Sequence, residues 1–122
     1  MEAEPVVQVE ESPARVRVIV GGETVADTKD ALLLKEQGHR PVYYVPFADV
    51  RADLITPTDH SSFCPRKGTA SYWTISAGGR VAENAMWGYR QPIPSCPDIS
   101  KYVAFYRDRV DEIVVGDEPA AG

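Results

Sequence analysis

The stretch Thr69-Ala70-Ser71-Tyr72-Trp73-Thr74-Ile75-Ser76, followed by Ala77-Gly78-Gly79 and then Val81-Ala82-Glu83-Asn84-Ala85-Met86-Trp87-Gly88-Tyr89-Arg90, decides the fold. Its β-branched and aromatic residues suit a pleated, half-buried surface. Side chains alternate across a strand, so Ser71, Trp73 and Ile75 are expected on one face and Ala70, Tyr72 and Thr74 on the other. Paired glycines supply the positive φ of a tight hairpin turn. The reading is a hairpin: strand 69–76, turn 77–79, return 81–90, with Ala85, Trp87 and Tyr89 sharing a face.

Upstream, residues 59–63 read as an extended run into Cys64-Pro65-Arg66-Lys67-Gly68, where Pro and Gly mark a corner. Phe47, Val50 and Leu54 recur at i, i+3 and i+7, which predicts one short amphipathic helix over 46–54. Val42-Tyr43-Tyr44-Val45 reads as a strand ended by Pro46. At 31–36, Asp30 and three leucines favour a helix, but Gly38 would stop it after about two turns, so a strand is preferred. Val16, Val18 and Val20 alternate, and Gly21-Gly22 turns that strand into 23–27.

Downstream, Pro92, Pro94 and Pro97 exclude an interior strand from 91–97. Residues 98–101 fit one helical turn, and 102–106 and 112–115 fit strands. Residues 1–13 read as a flexible arm, although Val6, Val7 and Val9 could pair at a sheet edge, and 116–122 read as a disordered tail. The expected fold is mainly β: a single-domain roll or open barrel over 14–115, with about seven or eight short strands and one short helix. An α+β sandwich, or a helix at 31–37, is the alternative.

The 122 residues suit one domain with its own core. The acidic start Met1-Glu2-Ala3-Glu4 lacks the apolar region of a signal peptide, and no apolar run is long enough to span a bilayer. A cytoplasmic location without membrane contact is the default expectation. Cys64 and Cys96 are the two cysteines, too few for a disulfide scaffold, and are read as thiols. A net charge of −5 argues against nucleic acid as a partner. The charge is uneven, however. Residues 1–12 and 108–122 each carry −4, whereas 60–97 set Arg66, Lys67, Arg80 and Arg90 against Glu83. A basic middle in an acidic chain can attract a small anion; solvated charged ends are the competing reading.

Several motifs then fall in order: Ala26-Asp27-Thr28, Pro41-Val42-Tyr43-Tyr44-Val45-Pro46, Thr58-Asp59-His60, Cys64-Pro65-Arg66-Lys67-Gly68 with Tyr72-Trp73, Trp87-Gly88-Tyr89 before Pro92, and Val103-Ala104-Phe105-Tyr106. This series resembles the domain-of-unknown-function family numbered 427, also catalogued under a nucleotidyltransferase-type label. The resemblance runs from about Val16 to Val114. It implies a compact, β-rich, bacterial-type single domain and supplies no reaction. Nucleotidyl transfer ordinarily uses a phosphate-cradling Gly-rich loop and metal-holding carboxylates. Gly21-Gly22 instead reads as a hairpin turn, and the sequence has no Asp-x-Asp pair.

The candidate site centres on Cys64. A thiolate is the reactive form of cysteine, and a nearby cation favours it. Lys67 lies across the turn, and in an extended run His60, Ser62 and Cys64 point the same way. Cys64 as nucleophile, His60 as base, Lys67 as anion anchor and Tyr72 as an added hydroxyl make up the catalytic reading. Trp87 and Tyr89 could stack a planar ligand, Arg90 could hold its anionic group, and Glu36 could face the same pocket. Against this, cysteine is often simply buried, and the Cys64–Lys67 run could be a structural corner. His39, His60, Cys64 and Cys96 lack the tight spacing of a zinc site, so no metal and no cofactor is expected.

The function read from these residues is a small-molecule-binding domain, with an enzyme built on Cys64 as its sharper form and a small anionic or planar metabolite as ligand. A protein-interaction or homodimerisation module is the alternative, and a nucleotide-handling transferase a second one. Monomer and homodimer are both open.

Overall fold

The computed structural model describes residues 6–116. The strands are β1 (Val7–Glu11), β2 (Val16–Val20), β3 (Glu23–Thr28), β4 (Leu32–Glu36), β5 (Val42–Pro46), β6 (Ile55–Cys64), β7 (Gly68–Ala77), β8 (Arg80–Gly88), β9 (Tyr102–Phe105) and β10 (Glu112–Val115). They form two antiparallel sheets: a seven-stranded one in the order β1-β4-β5-β9-β8-β7-β6, and a three-stranded one in the order β10-β2-β3. The mainly β fold expected from the sequence is the one found, as open sheets that do not close into a barrel. Ten strands are described rather than seven or eight. The 31–36 segment is a strand, paired with Tyr44, Tyr43 and Val42 through its three leucines. No helix among the described residues is long and apolar enough to cross a membrane.

Strand alternation divides the seven-stranded sheet into two apolar faces. On one face Val45, Trp73, Ile75, Met86, Val103 and Phe105 pack against Val16, Val18 and Val20 of the smaller sheet. Burial of each such side chain stabilises the fold by roughly 1.5–3 kcal/mol. On the other face Leu34, Tyr44, Ala70, Tyr72 and Ala104 join Tyr89, Cys96 and Ile99 from the segment after β8. Trp73 and Ile75 thus oppose Ala70 and Tyr72, as the alternation requires.

Three local expectations are corrected. Ala85 packs in the inter-sheet core, whereas Trp87 and Tyr89 lie on the opposite face. The β7–β8 register shifts beside Trp73/Ile75, and Asn84 there takes a φ of 50°, so the bulge breaks the period-two pattern between Ala85 and Trp87. The helix expected over 46–54 is instead two short 3-10 turns, Phe47–Asp49 and Ala52–Leu54. Between them Ala26 and Val50 form an antiparallel bridge, and the Arg51 amide donates to the Val25 carbonyl at 2.8 Å, so β3 captures the backbone that a helix would need. Finally, the arm read as flexible contains β1, which pairs in register with β4 from Val7↔Glu36 to Glu11↔Leu32. The edge pairing offered by Val7 and Val9 is the arrangement formed. Residues 1–5 and 117–122, including most of the tail read as disordered, lie outside the described residues.

The two sheets meet at a joint between their hairpin turns. Gly21 and Gly78 have φ of 58° and 56°, and a Cβ on Gly78 would lie 1.8 Å from the Gly21 carbonyl oxygen. Only glycine allows this approach. The Gly78 amide donates to Glu23 at 2.7 Å and the Gly21 amide to Asp111 at 2.6 Å, while Arg80 pairs with Asp111.

Candidate functional site

The outer face of the seven-stranded sheet carries a concave pocket, built from the ends of β4, β6 and β8, from Val42 and Tyr44 of β5 and from Tyr72 in the middle of β7. Glu36 is the last residue of β4, and the Cys64–Lys67 turn joins β6 to β7. The Lys67 amide donates to the Cys64 carbonyl at 3.1 Å, which closes the turn. The Ile93 amide donates to the Lys67 carbonyl at 2.9 Å, tying the proline-rich segment across it. This packing leaves Lys67 8% exposed.

A lysine so deeply placed needs a counter-charge. Glu36 provides it: Lys67 Nζ donates to Oε1, and the carboxylate side chain is itself 8% exposed. Arg66 Nη1 reaches Oε2 at 3.3 Å and donates to the Gln37 carbonyl at 2.9 Å. His39 Nε2 stands 3.6 Å from Oε2. Burial pushes the Glu36 carboxyl up, but the Lys67 hydrogen bond and the charges of Lys67, His39 and Arg66 outweigh it, so Glu36 sits below its usual range. One carboxylate organises three basic side chains.

Beyond this cluster the wall is aromatic. Tyr72 and Tyr106 stack with centroids 6.3 Å apart and planes 8° from parallel. Trp87 lies 4.4 Å from Tyr106 and meets Tyr44 edge-on at 6.3 Å. Lys67 Nζ is 5.6 Å from the Tyr89 ring centre. The hydroxyls form a chain, with Ser62 Oγ 2.8 Å from Tyr72 Oη and Tyr72 Oη 3.1 Å from Tyr106 Oη. Burial pushes the Tyr44 and Tyr89 phenols up. Burial, then the bond to Tyr72, pushes Tyr106 up to about 12. These rings present neutral hydroxyls at neutral pH. The hollow, partly open to solvent, measures about 450 Å³.

Six residues singled out in the sequence line this cavity: Glu36, Cys64, Lys67, Tyr72, Trp87 and Tyr89. Two do not. His60 is exposed and lays its ring edge-on against Tyr72, with centroids 4.4 Å apart. His60 is not among the residues that line the cavity with Cys64. Arg90 follows the end of β8 and sits over Trp73 at 5.2 Å, lining a separate hollow with Phe47 and Lys101. Arg90 and Lys67 therefore do not line one cavity. Cys64 and Cys96 are both free thiols; Cys64 is half-buried at the wall, and burial pushes the 8%-exposed Cys96 up. Among the described residues no group of three or more His, Cys, Asp and Glu side chains gathers as a metal site would.

Tyr44 and Tyr106 also line the cavity and were given no site role in the sequence reading, as do Arg66, named there only within the Cys64–Gly68 run and the basic middle, and His39, weighed there only as a metal ligand. A signal for two of them existed. Tyr44 and Tyr106 alternate with Val45 and Phe105, so once those apolar residues are assigned to the core the tyrosines must face the other way.

Comparison with curated proteins returns no match. A family model described as Domain of unknown function (DUF427), which carries a nucleotidyltransferase-type label, matches residues 8–116. The match takes in the strands from β2 to β10, the Glu36–Lys67 cluster and the aromatic wall, and on that coverage the chain belongs to the DUF427 family.

Proposed function

We propose that the concave face of the seven-stranded sheet binds a small molecule that combines a flat ring with an anionic group. The observation that carries this reading is the meeting, in one cavity, of an aromatic wall with a buried lysine. Tyr72, Trp87 and Tyr106 line the cavity with aromatic surface for a planar ring to pack on. Arg40, Arg66 and Lys67 against Glu36 give the lining two more positive charges than negative. Lys67 has three N–H donors, so its bond to Glu36 leaves others for a carboxylate or phosphate. Glu36 holds the cation in place before the ligand arrives, which lowers the ordering cost of binding. His60 stands outside the cavity wall, which favours binding over a thiol–imidazole reaction at Cys64.

The test is thermal denaturation and tryptophan fluorescence with a panel of benzoate, naphthoate, phenyl phosphate and a nucleoside triphosphate with Mg²⁺. Aromatic anions should stabilise the protein, by about 2.7 kcal/mol at a concentration 100-fold above Kd. They should also slow alkylation of Cys64. Lys67→Met and Trp87→Ala should each abolish the effect. A panel in which no aromatic anion shifts the melting temperature up to millimolar concentration removes the proposal. The nucleotide arm tests the nucleotidyltransferase-type label directly.

A second reading is favoured by β6, a ten-residue edge strand carrying Phe63 at 69% exposure. Unpaired strand edges recruit other strands. Two copies paired along β6 would appear as a dimer in light scattering, and Phe63→Lys would return it to monomer.

A further inference from the structure

A second cavity, about 290 Å³, lies between the two sheets on the opposite side of the seven-stranded one. Its wall is mostly apolar, with Val16, Val18 and Ile113 from the smaller sheet and Val45 and Phe105 from the larger, and Arg107 also lines it. Three of its lining residues, Val42, Trp87 and Tyr106, also line the cavity on the concave face. All three pack with the outer apolar cluster rather than with the inter-sheet core. A residue of one sheet face can border a cavity on the other where the ladder is interrupted or ends.

The interruption is visible in the pairing. β5 and β9 are joined through Val45↔Val103 and Pro46↔Tyr102 alone in the described ladder. Carried on, the same register would set Tyr44 against Ala104, Tyr43 against Phe105 and Val42 against Tyr106, and none of those pairs is formed. The ladder ends short of Val42 and Tyr106, two of the residues common to both cavities. Ala104 pairs with Trp87 on β8.

We infer that the ligand of the concave face carries an apolar extension, which passes over the rim of Val42 and Tyr106 that both cavities share and seats among Val16, Val18, Val45, Phe105 and Ile113. This inference rests on the binding reading above and specifies its substrate class: an amphipathic molecule with an anionic aromatic head and a short hydrocarbon tail. The head would lie beside Lys67 and Trp87. The tail would replace empty apolar space with contact, and an apolar cavity of this kind accepts hydrocarbon readily.

Titration calorimetry with benzoate and 4-alkylbenzoates from methyl to hexyl tests this directly. Each methylene buried should tighten binding roughly fourfold, until the inter-sheet cavity is full. Ile113→Phe, which fills the inter-sheet cavity from the smaller sheet, should flatten the chain-length dependence while benzoate itself still binds. Val115→Phe, also on the wall of that cavity alone, should do the same and serves if Ile113→Phe does not fold. Benzoate that binds with no gain along the series overturns the tail site and leaves the proposed head site standing. A series that gains equally in wild type and in both variants also overturns it, because the tail then lies elsewhere. Failure of every compound to bind overturns both readings.

Discussion

Replacing Glu36 by glutamine removes one negative charge and almost no volume, so it isolates the electrostatic role of the carboxylate beneath Lys67. Both side chains are nearly enclosed, at 8% and 10% exposure, so Lys67 cannot turn to water once its partner is neutral. Removing one member of a buried ion pair typically costs 3–5 kcal/mol. Because Arg66 and His39 at the rim are 42% and 64% exposed and can relax, the lower end applies, and we expect a loss of about 3 kcal/mol. In a domain of this size that lowers the melting temperature by roughly 10 °C.

Urea titration monitored by tryptophan fluorescence measures the loss. The double variant E36M/K67M should recover most of it, because an apolar pair of similar bulk avoids the desolvation cost. The pH dependence supplies an independent check. The Glu36 carboxyl in the folded protein lies below the ordinary 4.5, so on acidification the unfolded chain takes up the proton first. Its contribution is complete above that ordinary value and disappears as pH falls through the depressed one. Wild type should therefore lose stability more steeply than E36Q between about pH 5 and pH 3. A cost for E36Q under about 1 kcal/mol, with parallel pH profiles, would refute the claim that Glu36 compensates a buried lysine.

Other expectations concern the joint, the hydroxyl chain and the thiols. Gly78→Ala forces a Cβ to 1.8 Å from a carbonyl oxygen, whereas Gly79→Ala, at a φ of 81°, meets nothing within 4 Å. The first should cost several kcal/mol in urea melts and the second about 1 kcal/mol, and equal costs would show that the turns do not interlock. Tyr72→Phe removes the hydroxyl bond that helps raise Tyr106, so the Tyr106 phenol should ionise below about 12 in an ultraviolet titration. An unchanged or higher value would contradict the hydroxyl chain. Iodoacetamide followed by mass spectrometry should label half-buried Cys64 before Cys96, whose thiol is buried and shifted up. Faster labelling of Cys96 would place the accessible thiol on the wrong side of the proline-rich segment.

The strands were legible wherever one period held over several residues. Val16-Arg17-Val18-Ile19-Val20 alternates between buried and half-buried residues, and in the run from Thr69 to Ser76 Ala70 and Tyr72 are buried on one face and Trp73 and Ile75 on the other. Legibility failed where a distant strand competed for the backbone. The spacing of Phe47, Val50 and Leu54 is helical, but Val25 and Ala26 on β3 engage Arg51 and Val50, and nothing local to 46–54 signals that. Ala85 was misplaced because Asn84, a residue that tolerates positive φ, absorbs an extra position in β8.

The site divides in the same way. The turn chemistry of Cys64-Pro65-Arg66-Lys67-Gly68 and the face shared by Trp87 and Tyr89 lead to one cavity. Parity linked His60 to Ser62 and Cys64, but the β6–β7 register shifts between Pro57 and Ser61, beside His60. Arg90 lies beyond Gly88, where β8 ends and alternation no longer applies. The Glu36–Lys67 pair spans 31 residues between segments that show no complementary pattern, so its partnership could not be read from spacing.

The glycine joint also orders events in time. Each of its two turns closes by contact between near neighbours and can form within microseconds. Joining them depends on bonds of far greater reach, from Glu23 to Gly78 across 55 residues and from Gly21 to Asp111 across 90. Contacts of such separation form late, since the intervening chain must first give up its freedom. During synthesis both hairpins can be complete before Asp111 emerges, so the second of the two clamping bonds must wait for it. A lesion at Gly78 should therefore speed unfolding more than it slows folding.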